Sequence, residues 1–315
     1  MLAPGNDHPS PALTGSSSST LMPHQPLLSA EKLKQLYAAM LKVRLLGERL
    51  HSRSTGSTSR TLFQEACEVG CAIHLRPQDT IAASADQHFV GLIRGLPPLA
   101  SKASLGQRQS SGSQNERALL LNAFQNHDSA ERLRFATGVA FAYRVEKKDN
   151  VVLAFSEKEG FAAAHASLQF AFDHRLPIIY VQQAFRAGNS TASRRIKKSH
   201  QFPVIPVDQS DVVAVYRVAY EAIDKARRGV GPTIIQCIQH LPQANHSRDA
   251  HRADPIEHMV WHLRKKNLWS DEFKRTIEEG LREELKPASA TRKRRGSMGS
   301  NGNSAFISAP ARHPL

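Results

Sequence analysis

The first candidate for chemistry is a short turn, Ser156-Glu157-Lys158-Glu159-Gly160, which follows the apolar run Val151–Phe155. In many α/β proteins such a turn binds a phosphate or a metal ion at the start of a helix. Here two acids would repel a phosphate. The spacing of Ser156 and Glu159 is instead that of a capping box. The sequence therefore predicts an ordinary helix start, capped by Ser156, at this turn.

Two further groups of residues carry metal-ligating side chains. Cys67 and Cys71 are four residues apart on a predicted helix, and Cys237 is the remaining cysteine. Because no matching second pair exists, we interpret them as buried small residues in a reducing compartment, not as a metal site. His258 and His262 have a spacing that suits zinc. Without an evident third ligand, we interpret them as ordinary surface or core histidines, so no metal site is predicted.

The elements that must position these residues are helices first, then alternating strands and helices. Helical periodicity covers Ser29–Leu50, Thr61–Leu75, Ser129–Lys147, Phe161–His174, Asp211–Arg228, Pro255–Lys266 and Ser270–Leu285. Short apolar strands are predicted at Val151–Phe155, Ile178–Gln182, Val204–Val207 and Thr233–Gln239. The order predicts an α/β fold, with a mostly parallel sheet flanked by helices and preceded by N-terminal helices.

The composition of the 315-residue chain divides it into three parts. Residues 1–28 are rich in Pro, Ser and Gly, and residues 287–315 are basic and then rich in Gly, Ser and Asn. Both are predicted to be disordered tails around one domain, residues 29–286. The sequence contains no apolar run long enough to span a membrane and no secretory signal, so we expect a cytoplasmic protein.

The formal net charge of +14 favours an acidic binding partner. The basic loop Arg186–His200 and the basic tail are the segments that could contact one. Nucleic acid is an unfavoured partner, because aromatic residues make up only 6% of the chain and a stacking platform needs them. A solvated loop and a solvated tail are the simpler interpretation of both segments.

The order of several segments resembles a known family. The segments are LYAAMLKVRLLGERL, FQEACEVGCAIHLRPQDTIAASADQHFVGLIRG, LPIIYVQQ, IPVDQSDVVAVYRVAYEAIDKARRGVGPTIIQ and NHSRD. They resemble the alpha subunit of thiamine-diphosphate-dependent 2-oxo acid dehydrogenases over roughly residues 30–285. The resemblance implies a thiamine-diphosphate-binding fold and oxidative decarboxylation of a 2-oxo acid. It also implies a separate beta subunit, usually in a heterotetramer, with thiamine diphosphate and Mg²⁺ held between the subunits.

The metal ligands that the resemblance implies are missing from this sequence. The family holds Mg²⁺ through the aspartate of a Gly-Asp-Gly turn, and the matching positions here are Phe155, Ser156 and Glu157. The asparagine pair that follows the next strand is replaced by Ala184 and Phe185. Magnesium requires hard oxygen ligands in near-octahedral geometry. Thiamine diphosphate and magnesium are therefore expected from the family but not expected to bind here.

Contacts to the cofactor phosphates are also changed. The arginine of the family's Tyr-Arg-x-His stretch is replaced by Asp86, and the arginine of its Tyr-Arg-x-x-Gly-His-Ser loop is replaced by Pro242. The matching residues that remain are His88, His246 and Ser247. These three are the candidate cofactor-binding remnants, and His246 is the one catalytic candidate.

A further change is at Phe63, which replaces the glycine of the family's Gly-Gln-Glu-Ala motif. The retained residues are those that build the fold, such as Pro177 and Gly231. We therefore expect a degenerate alpha-type subunit, non-catalytic or regulatory, paired with a beta-type subunit or with itself. Two alternatives stay open: an active alpha subunit with altered ligands, and a basic scaffold that binds an acidic partner or nucleic acid.

Overall fold

The structure of the protein is a computed structural model, which describes residues 28–51, 63–84, 128–186, 202–240 and 254–285. Both predicted tails lie outside these residues. The helices are α1 Ala30–His51, α2 Glu65–Ala72, α3 Ser129–Val145, α4 Lys158–Ala163, α5 His165–Asp173, α6 Val212–Arg227, α7 Pro255–Lys265 and α8 Asp271–Leu285. The strands are β1 Thr80–Ala82, β2 Val152–Glu157, β3 Ile178–Arg186, β4 Val204–Asp208 and β5 Thr233–His240.

The five strands form one parallel sheet with the order β1-β2-β3-β5-β4. This confirms the predicted α/β class and the parallel sheet. Strand β1 was not predicted, because three residues are too few to show a periodic pattern. Its register with β2 pairs Thr80 with Val152 and Ala82 with Ala154.

Residues of each strand alternate between two hydrophobic cores, one on each face of the sheet. In β2, Leu153 and Phe155 belong to the core that also contains residues of α1, α2, α6, α7 and α8. Val152 and Ala154 belong to the second core, which contains residues of α3, α4 and α5. Because both faces are covered, the strands are continuous apolar runs, as expected for a parallel sheet. The result is a sheet between two layers of helices.

The helix starts follow local side-chain chemistry at most positions. Ser29 accepts a hydrogen bond from the backbone N–H of Lys32 at 3.2 Å, so the predicted cap of α1 is confirmed. Helix α2 begins only at Glu65 and not at Thr61 as predicted. The reason is that Phe63 has a φ of 71°, which is incompatible with an α-helix at that residue.

The single helix predicted over Phe161–His174 is wrong. It consists of two helices, α4 and α5, which are separated at Ala164 with φ −101° and ψ 14°. The buried residues Phe161, Ala164, Leu168 and Ala171 keep helical spacing across the break. The apolar pattern therefore continues across Ala164 although the helix is interrupted there, so the sequence pattern does not reveal the break.

A buried ion pair fixes the amino edge of the sheet, where the parallel strands begin. The carboxylate of Asp79, only 2% exposed, accepts hydrogen bonds from Nη1 of Arg227 at 3.0 Å and from Nη2 of the same side chain. It also accepts from the backbone N–H of Val151 at 3.0 Å and of Arg76 at 2.7 Å. These bonds join the end of α6 to the start of the sheet.

None of the helices within the described ranges is both long enough and apolar enough to cross a membrane.

Candidate functional site

The candidate site is the carboxyl edge of the sheet, where parallel α/β sheets bind their ligands. The end of β2 and the positions of β3 and β5 that are level with it place uncharged polar side chains there, and these are buried. The residues are Ser156, Gln182, Gln183 and Gln236, with Gln64 supplied from the residue that precedes α2. The buried guanidinium of Arg132, on α3, also reaches this edge and donates from Nη1 to the backbone carbonyl of Phe155 at 3.4 Å.

The glutamines of this edge are bonded to each other. Gln236 donates from Nε2 to Oε1 of Gln182 at 2.5 Å, across neighbouring strands β5 and β3. Gln183 donates from Nε2 to Oε1 of Gln64 at 3.4 Å. A paired buried amide has fewer donors and acceptors left for a ligand. The sequence analysis did not select these glutamines, because their pairing follows from the strand order and register.

The turn between β2 and α4 differs from the predicted capping box. Ser156 lies within β2 and is 3% exposed, and its hydroxyl donates to the backbone carbonyl of Glu157 at 3.2 Å. The N-cap of α4 is Glu157, and no side chain caps the helix. The predicted cap by Ser156 is therefore wrong, because the strand extends two residues past Phe155 through its pairing with β3.

Close packing surrounds the hydroxyl of Ser156. A Cβ placed on Gly160 would lie 2.3 Å from Oγ of Ser156 and 2.5 Å from Cβ of Ser129, the first residue of α3. These distances are far below van der Waals contact. Gly160 is therefore required for α4 to approach β2 and α3 this closely.

Phe63 keeps a backbone conformation that glycine adopts most readily. Its φ of 71° is in the left-handed region, which costs a non-glycine residue about 1–2 kcal/mol. Two contacts hold it: Nε2 of Gln209 donates to its carbonyl at 3.3 Å, and the guanidinium of Arg44 lies 5.1 Å from the centre of its ring. The ring of Phe63 is 38% exposed.

Arg44 also joins three helices through charges that the sequence analysis did not identify. It donates from Nε to Glu65 at 2.8 Å and from Nη1 to Asp254 at 2.7 Å. The hydrogen bonds to these carboxylates raise the pKa of Arg44 despite its burial, so it remains charged. Asp254 in turn caps α7 by accepting from Ile256 N–H at 2.8 Å. The network connects α1, α2 and α7 beside the site.

The remaining predicted site residues have different positions. Ala184 is half-buried on β3, and its methyl group offers no ligand atom; the side chain of Phe185 is outside the described residues. His88, His246 and Ser247, together with Asp86 and Pro242, also lie outside the described residues. The same applies to the basic loop from residue 187 to residue 200.

The predicted histidine pair lies on α7, and His258 faces the residues just before α6. Nδ1 of His258 is 3.2 Å from the backbone carbonyl of Ser210, within hydrogen-bond distance. Burial lowers the pKa of His262 from its ordinary value, and the nearby Lys266 acts in the same direction. Both histidines are half-buried, and their interpretation as ordinary surface or core residues stays a prediction.

The structure brings all three cysteines together in the core. The sulfur atoms of Cys67, Cys71 and Cys237 lie within 4.8 Å of one another, and each residue is 0% exposed. They are buried, as predicted, but the position of Cys237 beside the other two was not predicted. Burial raises the pKa of the Cys67 thiol well above its ordinary value.

Comparison with known proteins identifies a matching family. The family model described as "Dehydrogenase E1 component" matches residues 40–298, more than half of the chain.

Curated relatives share about a quarter of their residues with this chain. The acetoin:2,6-dichlorophenolindophenol oxidoreductase alpha subunit of Bacillus subtilis (strain 168) is 25% identical over 267 residues, which cover 76% of this chain and 79% of that protein. The pyruvate dehydrogenase E1 component alpha subunit of Acholeplasma laidlawii is 27% identical over 250 residues, covering 70% and 71%. The 2-oxoisovalerate dehydrogenase alpha subunit of Bacillus subtilis (strain 168) is 25% identical over 295 residues, covering 81% and 88%.

Among solved structures, a transketolase from Pichia stipitis has a TM-score of 0.49 at 12% sequence identity. The match covers 82% of this chain and 48% of that chain, so this chain spans about half of its length.

Proposed function

Since the chain belongs to the dehydrogenase E1 component family, we propose that it is an alpha-type subunit of a 2-oxo acid dehydrogenase that has lost its cofactor ligands. In this proposal it serves as a non-catalytic or regulatory subunit. It pairs with a beta-type subunit or with itself. The names of its relatives, which are alpha subunits of oxo acid and acetoin enzymes, support the alpha-type assignment.

The observation that carries the proposal is the state of Ser156. The family resemblance places a metal-binding aspartate at this position. Ser156 has no carboxylate, is buried, and donates its hydroxyl hydrogen to the carbonyl of Glu157. The neighbouring carboxylate of Glu157 is exposed and lies one position beyond the ligand position. Mg²⁺ prefers oxygen ligands in near-octahedral geometry, and this turn offers no buried carboxylate oxygen.

The rest of the edge does not replace the missing ligands. Ala184 has no oxygen in its side chain, and Gln182 and Gln236 are bonded to each other. The described residues therefore do not fit a magnesium diphosphate group. Two of the remaining losses, Asp86 and Pro242, and the remnants His88 and His246 stay predictions from the sequence.

An exposed apolar stripe supports the pairing. Phe141 and Val145, one turn apart on α3, are 41% and 62% exposed, and Phe170 of α5 is 37% exposed. The rings of Phe141 and Phe170 lie 5.4 Å apart. Contiguous exposed apolar side chains are typical of surfaces that bind other proteins. The cytoplasmic location stays a prediction from the sequence.

The test of the cofactor proposal is calorimetric titration of the full chain with thiamine diphosphate and Mg²⁺. It is done for the chain alone and for its complex with a co-expressed beta-type subunit. We expect no Mg²⁺-dependent binding and no 2-oxo acid decarboxylation in either sample. Micromolar, Mg²⁺-dependent binding with decarboxylation would instead establish an active alpha subunit with altered ligands.

A restored variant makes this test sharper. The triple variant Phe155→Gly, Ser156→Asp, Glu157→Gly recreates the family's turn, and we expect it not to restore binding. The reason is that Asp86 and Pro242 would still replace the two phosphate-binding arginines. Tight cofactor binding by the triple variant would contradict the predicted roles of these two positions.

The pairing is tested with a matched pair of variants on opposite faces of the sheet. We expect Phe141→Glu to weaken association, measured by analytical ultracentrifugation, more than the control does. The control is Trp261→Glu on α7, which is 51% exposed, so a similarly exposed aromatic residue is replaced by the same acid. Equal effects of the two variants, or no effect of Phe141→Glu, would exclude the stripe as the interface.

A further inference from the structure

The three cysteines form a convergent set of sulfur donors that adjoins the candidate site, since Cys237 pairs with Gln183 in the sheet. Cys67 and Cys71 lie on successive turns of α2, and Cys237 lies on β5 beneath that helix. All three sulfur atoms are within 4.8 Å of one another. The chain has no other cysteine. Two elements that are far apart in sequence therefore bring every thiol of the protein to one point.

The spacing of these donors suits one central atom. Three sulfurs bonded at about 2.3 Å in tetrahedral directions are about 3.8 Å apart. The sulfurs here need to move by about 1 Å at most to reach that spacing, which side-chain rotation can supply. Sulfur donors select soft, thiophilic elements over hard cations.

The surroundings decide which charge such an element must have. The cysteines lie in a buried apolar core with neighbours such as Val69 and Val207. Three thiolates would leave net charges of −2 with a monovalent ion and −1 with a divalent ion, and both are costly to bury unpaired. A trivalent element cancels the three charges. The described part of the chain adds no fourth ligand to the group.

We propose that Cys67, Cys71 and Cys237 form a binding site for a trivalent thiophilic metalloid, of the arsenic(III) class. One molecule of arsenous acid, As(OH)₃, condenses with three thiols. Three S–H bonds and three As–OH bonds break, three As–S bonds form, and three water molecules leave. Arsenic stays trivalent and no net proton is released, so no oxidant or reductant is needed. The site is independent of whether the chain binds thiamine diphosphate.

The experiment uses the reduced full-length chain and sodium arsenite as the probe. Native mass spectrometry should show one arsenic bound per chain, and X-ray absorption should show three sulfur neighbours. Binding should raise Tm by about 5 °C at arsenite concentrations a hundredfold above Kd. Arsenic bound by only two sulfurs, or no bound arsenic, would overturn the proposal.

Cysteine variants provide the controls. Cys67→Ala, Cys71→Ala and Cys237→Ala each remove one donor. Loss of a residue that only hydrogen-bonds to a metal ligand already weakens metal binding about 10–100-fold. We therefore expect each variant, which loses a ligand itself, to retain arsenic at least about 100-fold more weakly. The triple alanine variant is the blank, and circular dichroism checks that each variant folds. Unchanged retention in the triple variant would show that arsenic binds elsewhere. Tighter binding of Cd²⁺ than of arsenite would overturn the charge argument.

Discussion

The two edges of the sheet hold buried polar groups of different kinds. At the amino edge, the charged pair Asp79–Arg227 is fixed by four hydrogen bonds to the carboxylate. At the carboxyl edge, the buried side chains of the strands are neutral, and Gln182 and Gln236 bond to each other. The buried charges close to that edge belong to helices and are already bonded: Arg132 donates to the carbonyl of Phe155, and Arg44 pairs with Glu65. Buried charge therefore joins structural elements at both edges, and the strands of the carboxyl edge contribute none of it.

Two strand-to-helix turns at the carboxyl edge show the same contrast at close range. Asp211 caps α6 by accepting from the N–H groups of Val213 and Ala214, both at 3.0 Å. Ser156 caps nothing, and α4 begins without a side-chain cap. The turn after β4 is thus an ordinary structural turn. The turn after β2 offers neither a buried carboxylate nor a side-chain cap.

The largest effect is expected at the amino edge. Asp79→Ala would leave the guanidinium of Arg227 buried without its carboxylate, which typically costs about 3–5 kcal/mol in the free energy of unfolding. Urea denaturation measures it. The control is Arg228→Ala, which breaks a pair with Asp224 whose side chains are 65% and 55% exposed. That pair should contribute less than about 1 kcal/mol. Equal losses in both variants would remove the distinction between the edges.

At the carboxyl edge, Gly160→Ala should be the next most harmful change. Its Cβ would clash with Ser156 and Ser129, and overpacking of this kind costs about 1–3 kcal/mol. Gly138→Ala in α3 is the control, because nothing lies within 4 Å of its Cβ. That variant should be neutral or more stable by up to about 1 kcal/mol. The comparison is made by thermal and urea unfolding. If both alanine variants behave alike, the close packing at Ser156 is refuted.

The cap of α6 should come third. Asp211→Ala removes the acceptor for two backbone N–H groups and should lower the free energy of unfolding by about 1–2 kcal/mol. Asp211→Asn keeps an acceptor oxygen and should recover most of the loss. Chemical denaturation of the three proteins gives the values. Recovery by asparagine no better than alanine would mean that the side chain does not act as a cap.

The smallest effect is expected at Ser156, because Ser156→Ala removes only one hydrogen bond, to the carbonyl of Glu157. The loss should be about 0.5–1 kcal/mol. Ser156→Thr keeps the hydroxyl but adds a methyl group beside Gly160, and it should be less stable than Ser156→Ala. Both are measured by urea unfolding. A loss for Ser156→Ala equal to that for Asp211→Ala would restore Ser156 as a structural cap.

Much of the fold followed from the sequence because burial on both faces of a parallel sheet leaves a strong local signal. The runs at Ile178 and Thr233 are continuous and apolar, and the helix between residues 212 and 227 has clear periodicity. Strand β1 was missed because it is short. The break at Ala164 was missed because the apolar spacing continues across it.

Less of the candidate site followed from the sequence. Ser156 and Ala184 have no carboxylate or amide group to offer as a ligand. That follows from the residue types alone, whatever the fold. The wrong assignment of Ser156 as a cap arose because the length of β2 is set by its partner β3. Local sequence does not contain that pairing.

The sequence by itself determined which chemical groups the chain has. Position 156 is a serine and not an aspartate, and the chain has three cysteines in all. The sequence also determined the order of helices and strands, since periodicity is a local property. Only the tertiary structure decided that Gln236 bonds to Gln182 and that Cys237 meets Cys67 and Cys71. Such contacts join residues that are distant in the chain. They depend on strand order and helix packing, which are set by the burial of the whole core.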